Sequence, residues 1–481
     1  MDGHPDPEAK ATDTGPSPAG AGETHLGRGW CSRWAVRLGC WPAICPHGRP
    51  YGQLRYYVSI QRSVGLVVGE PAGPFVPTSV TRRWAPGPGA GLSRRKSRPA
   101  NYLATVPPAI ADVPVSLSGA AAAACSDALH AITATDRSLD GATVAVAALS
   151  LLRSEAVASS RIESLRVSNR GVSLALYDPT AAKASAREAA GNVMAMAAAL
   201  DQADTGVPLS ASAIVELHRV LLAGDDRGIA GQLRDEAVWV GGATPVSARF
   251  VPPPHELVPG LLDDLAAFAA RTDVDRIAKA AVVHAQFEGI HPFADGNGRV
   301  GRCIVHTVLR VDRVTTRTTV PVSTVLLNDR DGYFAALAAY QRDGDVDQWV
   351  AHFARAAAQA AQMSEALARD LTQLTVEWAE RAGTPRAGSV ARRLIDLLPS
   401  QPVVDARTVT ATLEVDRRTA QRGIERLTNA GVLREVTGYR RNRVWAAEEL
   451  FDVLDGAQLA VGRDTGRPRP AAPSRHLRAE P

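Results

Sequence analysis

The sequence contains few cysteines, and their positions exclude a disulfide framework. Only five occur among 481 residues, three of them between residues 31 and 45, whereas Cys125 and Cys303 stand alone in later segments. Small proteins that depend on disulfides carry more cysteines at closer spacing. The early group, even with His47 added, lacks the paired C-x-x-C spacing of structural zinc sites, so we do not expect zinc there.

Long apolar runs are also missing. No stretch of about eighteen consecutive apolar residues occurs, which argues against a transmembrane helix. The beginning of the chain has no apolar segment after a basic start, as a secretory signal would have. We therefore expect a cytoplasmic protein with no membrane partner.

The composition is that of an ordinary globular protein with little excess charge. Hydrophobic residues make up 45% and charged residues 22%, and the formal net charge is +4. The length suits roughly two to four domains with sizeable cores. A net charge this small argues neither for nor against nucleic acid, so any basic surface must be local.

Composition and periodicity divide the chain into five parts. The first combines proline, glycine and arginine without sustained periodicity, and we interpret it as a disordered or misannotated extension. Within it, only YYVSIQRSVGLVV (56–68) could form a strand pair. The five parts are the extension (1–98), a helical region (99–205), a larger helical region (206–383), a separate module (386–450) and a disordered tail (451–481).

The two helical regions consist of Ala- and Leu-rich segments whose apolar residues recur at three- and four-residue spacing, which predicts a helical bundle. Ser210 and Ser212 stand where an N-cap is expected, and Gly224 follows a helix end. The segment 346–383 is so long that we expect a break inside it.

A short β-hairpin is predicted among these helices, within residues 237–260. Val238 and Val240 alternate with their neighbours, a Gly-Gly pair turns the chain, and the chain extends again from Ala248 to Val251 before three prolines. Alternation on both sides of a glycine turn favours paired strands.

The stretch GIHPFADGNGRVGR (289–302) gathers unusual side chains between two predicted helices. Glycine is unfavourable in a helix interior, so several glycines in one tract suggest a bound group. A loop that opens a helix directs free backbone N–H groups and the positive end of the helix dipole at an anion. The tract therefore predicts a phosphate-binding site.

The other residues of the tract suit phosphoryl or nucleotidyl transfer. Arg299 and Arg302 supply forked donors that match phosphate oxygens. Asp295 is a candidate ligand for Mg²⁺, which prefers one or two carboxylates together with phosphate oxygens. His291 is a candidate base for an attacking hydroxyl. By contrast, His284 and His306 are expected to be hydrogen-bonded core histidines.

His291 to Arg302 read HPFADGNGRVGR, which resembles the signature of the Fic family, HPFx(D/E)GNGRxxR. Characterised members of that family transfer AMP from ATP to a hydroxyl side chain of a target protein. The resemblance implies that His291 is the base, that Asp295 holds Mg²⁺ and that Phe293 is an anchoring core residue. It also implies an ATP-binding set in the loop: Gly296, Asn297, Gly298, Arg299, Gly301 and Arg302.

Two other segments extend the resemblance. The hairpin is similar to the family's flap, an edge that aligns a target segment by β-augmentation, with Ala248, Arg249 and Phe250 at its tip. Residues 328–337, NDRDGYFAAL, resemble the family's segment near the adenine. This makes Tyr333 and Phe334 candidate nucleotide contacts.

Residues 159–164, SSRIES, resemble the inhibitory motif (S/T)xxxE(G/N) of regulated Fic proteins. The resemblance implies that Ser159 and Glu163 are inhibitory, with Glu163 pairing with Arg302 and displacing the γ-phosphate of ATP. A Glu–Arg pair of this kind competes directly with phosphate. Ser164 stands where the family has Gly or Asn, which makes the helix end unusual.

The module at 386–450 has the order of a winged helix: two helices, a turn at Glu414, a third helix from Arg417 and a hairpin about Gly438. Between Arg386 and Trp445 it contains twelve arginines and six acidic residues, a net charge of +6. Such a charge suits duplex DNA. The candidate contacts are Arg417, Arg418, Gln421 and Arg422 on the third helix, and Arg440, Arg441 and Arg443 on the wing.

We therefore expect a mainly α fold, with a Fic-type helical bundle, a β-hairpin flap and a C-terminal winged-helix domain. The expected activity is protein adenylyltransfer from ATP, with Mg²⁺, to a Ser, Thr or Tyr hydroxyl of a target protein, autoinhibited by Glu163. A DNA-binding regulator and removal of AMP from a modified protein on the same site are the alternatives. The sequence leaves open whether the chain forms a homodimer.

Overall fold

The computed structural model describes residues 73–85, 98–139, 141–438 and 441–460, with no account of the side chains of residues 141–145, 459 and 460. The strand pair expected at 56–68, the early cysteines and Arg440 lie outside these residues. The described part is mainly helical, as expected, with fifteen α-helices and five short strands. None of these helices is both long and apolar enough to cross a lipid bilayer.

The elements follow one another from an N-terminal hairpin through the helical bundle to the C-terminal module. The strands are β1 (Thr78–Trp84), β2 (Ala100–Val106), β3 (Val403–Asp405), β4 (Arg434–Glu435) and β5 (Val444–Ala446). The first eight helices are α1 (Gly119–Ser138), α2 (Gly141–Ile162), α3 (Asn169–Tyr177), α4 (Ala184–Asp204), α5 (Ala211–Leu221), α6 (Val258–Ala269), α7 (Arg276–Ile290) and α8 (Asn297–Val311). The others are α9 (Val322–Asn328), α10 (Arg330–Asp343), α11 (Val346–Arg381), α12 (Val390–Leu397), α13 (Ala406–Leu413), α14 (Arg417–Asn429) and α15 (Glu448–Ala460).

α7 is the central helix of the bundle, and every residue from Ile277 to Ile290 is buried. A helix that is apolar all round belongs in the interior of a protein. Asp275 caps its N-terminus by accepting hydrogen bonds from the backbone of Ile277 and Ala278. α8 follows after a loop of six residues and is also buried along most of its length. The loop between these two helices is the glycine-rich tract.

α11 is one continuous helix of 36 residues, so the expected break is absent. Its sequence contains neither glycine nor proline, and its alanine-rich centre favours helix. Trp349 and Trp378 are both fully buried along it, and the indole N–H of Trp349 donates to the Ala281 carbonyl at 2.7 Å. The expected helix start at Ser210 is confirmed, since its hydroxyl accepts from the Ala213 N–H at the start of α5.

The interpretation of residues 1–98 as an extension without structure is wrong for Thr78–Trp84, which form β1. This strand pairs antiparallel with β2, and Trp84 lies opposite Ala100. Val80 and Trp84 are buried on one face of the strand, and Arg83 is exposed on the other, so a few apolar residues are enough to pack this short segment. β2 in turn donates a hydrogen bond from the Thr105 N–H to the Val251 carbonyl at 2.8 Å.

The C-terminal module has the expected winged-helix order. Asp405 caps α13, Glu414 turns the chain in the left-handed region, and α14 begins at Arg417. β3, β5 and β4 form a three-stranded antiparallel sheet in that order. Residues 451–460, expected to belong to a disordered tail, are part of α15, and Leu454 is buried in the module's core. The rest of that expected tail lies outside the described residues.

Candidate active site

His291 lies at the end of α7 in a strained backbone conformation. Its φ of 50° and ψ of 61° are left-handed, which is uncommon for a residue with a Cβ. Its N–H donates to the Phe287 carbonyl at 2.9 Å and so ends the helix. Strain of this kind persists only where surrounding contacts hold it, and it is common at active sites.

The contacts that hold His291 come from Arg234, which sequence reasoning missed. The guanidinium donates from Nε to the His291 carbonyl at 2.8 Å, and from its two terminal nitrogens to the carbonyls of Pro253 (2.5 Å) and Glu236 (3.1 Å). The Arg234 N–H donates to the Pro292 carbonyl at 2.9 Å. One buried side chain therefore ties the end of α7 to the two ends of the hairpin.

The imidazole of His291 is neutral at physiological pH. Burial, reinforced by the charge of Arg234, lowers the pKa of His291 to about 4. Its Nδ1 faces Glu288, with 3.9 Å between Nδ1 and Glu288 Oε2. A proton on Nδ1 leaves the lone pair on Nε2, which makes Nε2 the basic atom.

The backbone of the loop is held by its own side chains. Gly296 has a φ of 82°, a conformation that favours glycine. Asn297 makes a reciprocal pair with Phe293, in which Asn297 Nδ2 donates to the Phe293 carbonyl and the Phe293 N–H donates to Oδ1, both at 2.9 Å. The Asn297 side-chain amide is thus used within the loop.

His218 of α5 also supports the loop, and it was not among the site residues predicted from the sequence. Its Nδ1 accepts from the Gly231 N–H at 3.0 Å, so its Nε2 carries the proton and donates to the Asp295 carbonyl at 3.1 Å. Burial lowers the pKa of His218 to about 4, which keeps it neutral. Its ring stacks on Phe293 with centroids 3.7 Å apart, and Phe293 is fully buried, as expected of a core anchor.

Asp295 and Arg299 are joined in a network of ion pairs. Asp295 Oδ2 lies 2.7 Å from Arg227 Nη2, and Arg299 Nη1 lies 2.7 Å from Glu188 Oε1 on α4. Burial opposes ionisation of Asp295, but Arg227 and Arg299 outweigh it and lower its pKa. Arg227 and Glu188 had no signal in the sequence, since each becomes adjacent to the loop only through folding.

Arg302 is buried and already has an anionic partner. Its Nη2 lies 2.8 Å from Glu163 Oε1, its Nε donates to Ser159 Oγ at 2.8 Å, and Nη2 also donates to the Ser159 carbonyl at 2.9 Å. Glu163 Oε1 sits against Gly298, in the space that a Cβ on this residue would need. The structure therefore brings Ser159, Glu163 and Arg302 together at the first turn of α8.

Ser164 follows α2 in the left-handed region, with a φ of 66°. This conformation is easy for glycine and tolerated by asparagine, but it is strained for serine. Its hydroxyl accepts a hydrogen bond from Arg330 Nη2 at 3.2 Å on the protein surface. Ser164 therefore ends α2 at some energetic cost and leaves the position of Glu163 intact.

The hairpin is smaller than expected, because one bridge between Val240 and Phe250 closes it in place of a ladder. A 3₁₀ turn at Pro245–Ser247 takes up the intervening chain. Arg249 is exposed and Ala248 half-buried near the tip, while the Phe250 ring lines a groove together with Gly289.

The two aromatic candidates on α10 differ in their surroundings. Tyr333 is fully buried, and its hydroxyl lies 3.0 Å from His284 Nε2, which leaves little of it for a nucleotide. Phe334 is 39% exposed, with the Arg330 guanidinium 5.2 Å from its ring centroid. His284 is a buried hydrogen-bonded histidine, as expected, and His306 likewise lies 3.0 Å from Glu155 Oε1.

A model of the Fic/DOC family matches residues 208–309, from α5 through the hairpin and the glycine-rich loop to α8. Protein adenylyltransferase fic-1 of Caenorhabditis elegans is 31% identical over 147 residues, which are 31% of this chain and 27% of that protein. A probable protein adenylyltransferase of Aquifex aeolicus is 41% identical over 63 residues, which are 13% of this chain and 20% of that protein.

The chain spans about a quarter of the length of the first of these curated relatives. Among solved structures, a Fic family protein from Desulfovibrio desulfuricans G20 is similar with 20% identity and a TM-score of 0.44, covering 69% of this chain and 97% of that one. Fic-1 (aa134 - 508) from C. elegans is similar with 20% identity and a TM-score of 0.38, covering 52% and 74% of the two chains.

The helix end at Ser164 yields a stability prediction. Ser164→Gly relieves the left-handed strain, and we expect the free energy of unfolding to rise by about 1 kcal/mol. The thermal midpoint should rise by about 2 °C for a protein of this size. Ser164→Ala is the control, because it also removes the hydroxyl that Arg330 contacts but keeps the Cβ. A midpoint that rises equally in both variants would contradict the strain argument.

Proposed function

We propose that this protein transfers AMP from ATP to a hydroxyl side chain of a target protein. The observation that carries the proposal is the placement of a neutral, half-buried His291 at a helix end, beside the N-terminus of α8. The names of the similar proteins, protein adenylyltransferases, support ATP as the substrate and a protein as the target. The hydroxyl is a matter of chemistry, since it is the side-chain nucleophile that needs a base at neutral pH.

The proposed reaction uses His291 Nε2 as the general base. The hydroxyl oxygen forms a bond to the α-phosphorus of ATP, its proton passes to Nε2, and the bond to the departing pyrophosphate breaks. The first turn of α8 offers backbone N–H groups at Gly298 and Arg299 for the triphosphate, where the helix dipole also favours negative charge. Positioning and charge neutralisation provide most of the catalysis in such transfers.

Asp295 is the residue that would hold Mg²⁺. Its side chain is 38% exposed, and no group of three or more metal-ligating side chains occurs in the described part of the chain. A single carboxylate fits Mg²⁺ because this ion takes most of its other ligands from phosphate and water. Arg227, which now pairs with Asp295 Oδ2, would exchange that partner for the nucleotide. The bound ion would neutralise charge on the phosphates.

Glu163 is proposed to inhibit the transfer. The pair with Arg302 occupies the guanidinium donors that a γ-phosphate needs, and Glu163 Oε1 lies over the turn of α8 that would receive it. Like charges would also repel ATP at this position. ATP would therefore bind in an unproductive position until Glu163 moves.

Glu163→Gly should increase AMP transfer about tenfold or more, since a charge-assisted hydrogen bond is worth roughly 1.5–3 kcal/mol and each 1.4 kcal/mol is tenfold. The measurement is incorporation of label from α-labelled ATP into the protein itself and into a lysate, with mass spectrometry of the labelled peptides. Glu163→Gly/His291→Ala is the matched control and should not label. No gain of label would contradict the inhibitory role, and label lost from a premodified protein in a Glu163-dependent manner would favour removal of AMP instead.

DNA binding by the winged-helix domain is a second candidate function. Arg417, Arg418 and Arg422 are exposed on the first turns of α14, and no ion pair of the described residues involves them. Arg443, in contrast, pairs with Glu435 and covers the Trp445 ring at 5.0 Å from its centroid. An unpaired row of arginines at the start of a recognition helix suits phosphates.

A gel shift with duplex DNA tests this second function. We expect the full chain to retard the duplex, with affinity falling steeply as salt rises from about 50 to 200 mM because counterions are released. Arg417→Ser/Arg418→Ser should abolish the shift, whereas Arg342→Ser/Arg369→Ser, at two exposed sites on other helices, should preserve it. Equal loss in both double variants would show charge attraction without a defined surface.

A further inference from the structure

Glu288 is a buried carboxyl group on the last turn of α7, three residues before His291. Its side chain is only 9% exposed, and Oε1 has no hydrogen-bond partner among the described residues. Its other oxygen, Oε2, is the one 3.9 Å from His291 Nδ1. Buried polar groups are normally hydrogen-bonded, so an orphaned carboxyl oxygen beside a base marks a candidate functional group.

The loop is shaped to make room for this carboxyl group. A Cβ on Gly301 would lie 2.9 Å from Glu288 Oε1 and 3.0 Å from the Phe287 ring. Any larger residue at position 301 would push the carboxyl group away from its place between α7 and α8. Gly301, the last glycine of the tract, therefore leaves space for Glu288, and its backbone is not in the left-handed region.

The charges around this pair come from several elements. The titratable and charged groups that face His291 or Glu288 are Glu163, Arg234, His284, Asp295, Arg302 and Tyr333. Burial raises the pKa of Glu288 to about 8; among its neighbours, Arg302 lowers this pKa and Glu163 raises it. An imidazolium at His291 would add a positive charge beside Glu288 and so favour its ionised form when the hydroxyl proton is transferred.

We propose that Glu288 is a positioning residue for His291, which keeps the proton on Nδ1 before transfer and balances the imidazolium charge when Nε2 takes the hydroxyl proton. A carboxylate that faces the far nitrogen of a base stabilises the correct tautomer and the protonated ring. The inference rests on the proposed transfer of AMP and adds the residue that tunes its base.

The test introduces Glu288→Gln into the Glu163→Gly protein and compares this double variant with Glu163→Gly alone. Glutamine keeps the shape but cannot ionise, so we expect kcat for AMP transfer to fall roughly tenfold to a hundredfold, as for other residues that orient a functional side chain. The KM for ATP should change less than kcat, because glutamine keeps the shape of the side chain beside Arg302. The acidic limb of the kcat–pH profile should move to lower pH, because the imidazolium loses its counter-ion. Glu288→Asp should have a kcat between those of the parent and Glu288→Gln.

Glu365→Gln, an exposed site on α11, is the matched control and should leave the profile unchanged. Thermal midpoints of all variants separate misfolding from a loss of chemistry. An unchanged kcat and pH profile in Glu288→Gln would overturn the inference, and so would a rise in KM alone. A parent Glu163→Gly protein that does not label at all would instead overturn the proposed function.

A second inference concerns α2, the helix that carries Glu163, and comes from a different set of contacts. The C-terminal part of the chain forms hydrogen bonds with this helix along three turns. Ser150 Oγ donates to the Pro399 carbonyl at 2.8 Å, and Arg161 Nη1 donates to Gln458 Oε1 at 2.5 Å. Gln458 Nε2 donates in turn to Ser154 Oγ at 3.1 Å. Arg161 stands only two residues before Glu163 in sequence. Its Nη2 also lies 3.6 Å from Asp455 Oδ1.

Apolar packing reinforces these polar contacts. Ala147 and Leu151 of α2 belong to the same buried cluster as Leu394 and Leu398 of the winged-helix domain and Leu454 of α15. We propose that the C-terminal module holds α2 in its inhibitory position. AMP transfer would then increase whenever the module is displaced, because Glu163 can leave Arg302 most easily when α2 can move.

Asp455→Ala tests this second inference, with Asp452→Ala on an exposed position of the same helix as control. We expect self-labelling to rise severalfold in Asp455→Ala, less than in Glu163→Gly, and to stay unchanged in Asp452→Ala. In the Glu163→Gly protein, Asp455→Ala should add nothing, because the inhibitory contact is already gone. No rise, or an equal rise in both backgrounds, would overturn the inference, whereas absence of labelling in every variant would overturn the proposed function.

Discussion

A buried guanidinium needs an anion, and this requirement governs the site. Arg302 is 3% exposed at the first turn of α8, where leaving its charge without a partner would cost several kcal/mol. Glu163 meets the requirement in the structure described here, and a phosphate would meet it equally well. The two anions therefore exclude each other at this guanidinium. Under the proposed function, the position of α2 and the binding of nucleotide form one equilibrium.

Other hydrogen bonds of the site hold the loop in the geometry in which Glu163 and a phosphate compete for Arg302. Arg234 and His218 bind carbonyl groups of the loop, one from the side of the hairpin and one from α5. Each uses a buried polar side chain to satisfy backbone groups that the irregular loop leaves unpaired, as buried backbone demands. The strained His291 is stable because these contacts surround it, and its low pKa follows from the same burial.

The loop at 291–302 could be predicted from sequence, because its residues stand at fixed short spacing. The pairing of Glu163 with Arg302, which are 139 residues apart, was implied only by the resemblance to the Fic family. The winged-helix order was predictable for a related reason, since its turns and caps are local. Arg234, His218 and Glu188 could not be found in this way: each reaches the loop from a distant segment. β1 was missed because two buried apolar residues are a weak signal among prolines and arginines. The unbroken α11 shows that length alone does not predict a break in a helix. The buried Tyr333 shows that position within a motif does not predict exposure.

The hydrogen bond between Thr105 and Val251 limits where a further strand can pair with the hairpin. Val251 directs its carbonyl toward β2, on the side of its strand opposite to Val240, so the chain itself already occupies that edge. A peptide that joined this small sheet would have to add at the far side, beyond Val240. The N-terminal hairpin therefore leaves the Val240 side as the open edge of this pair of strands.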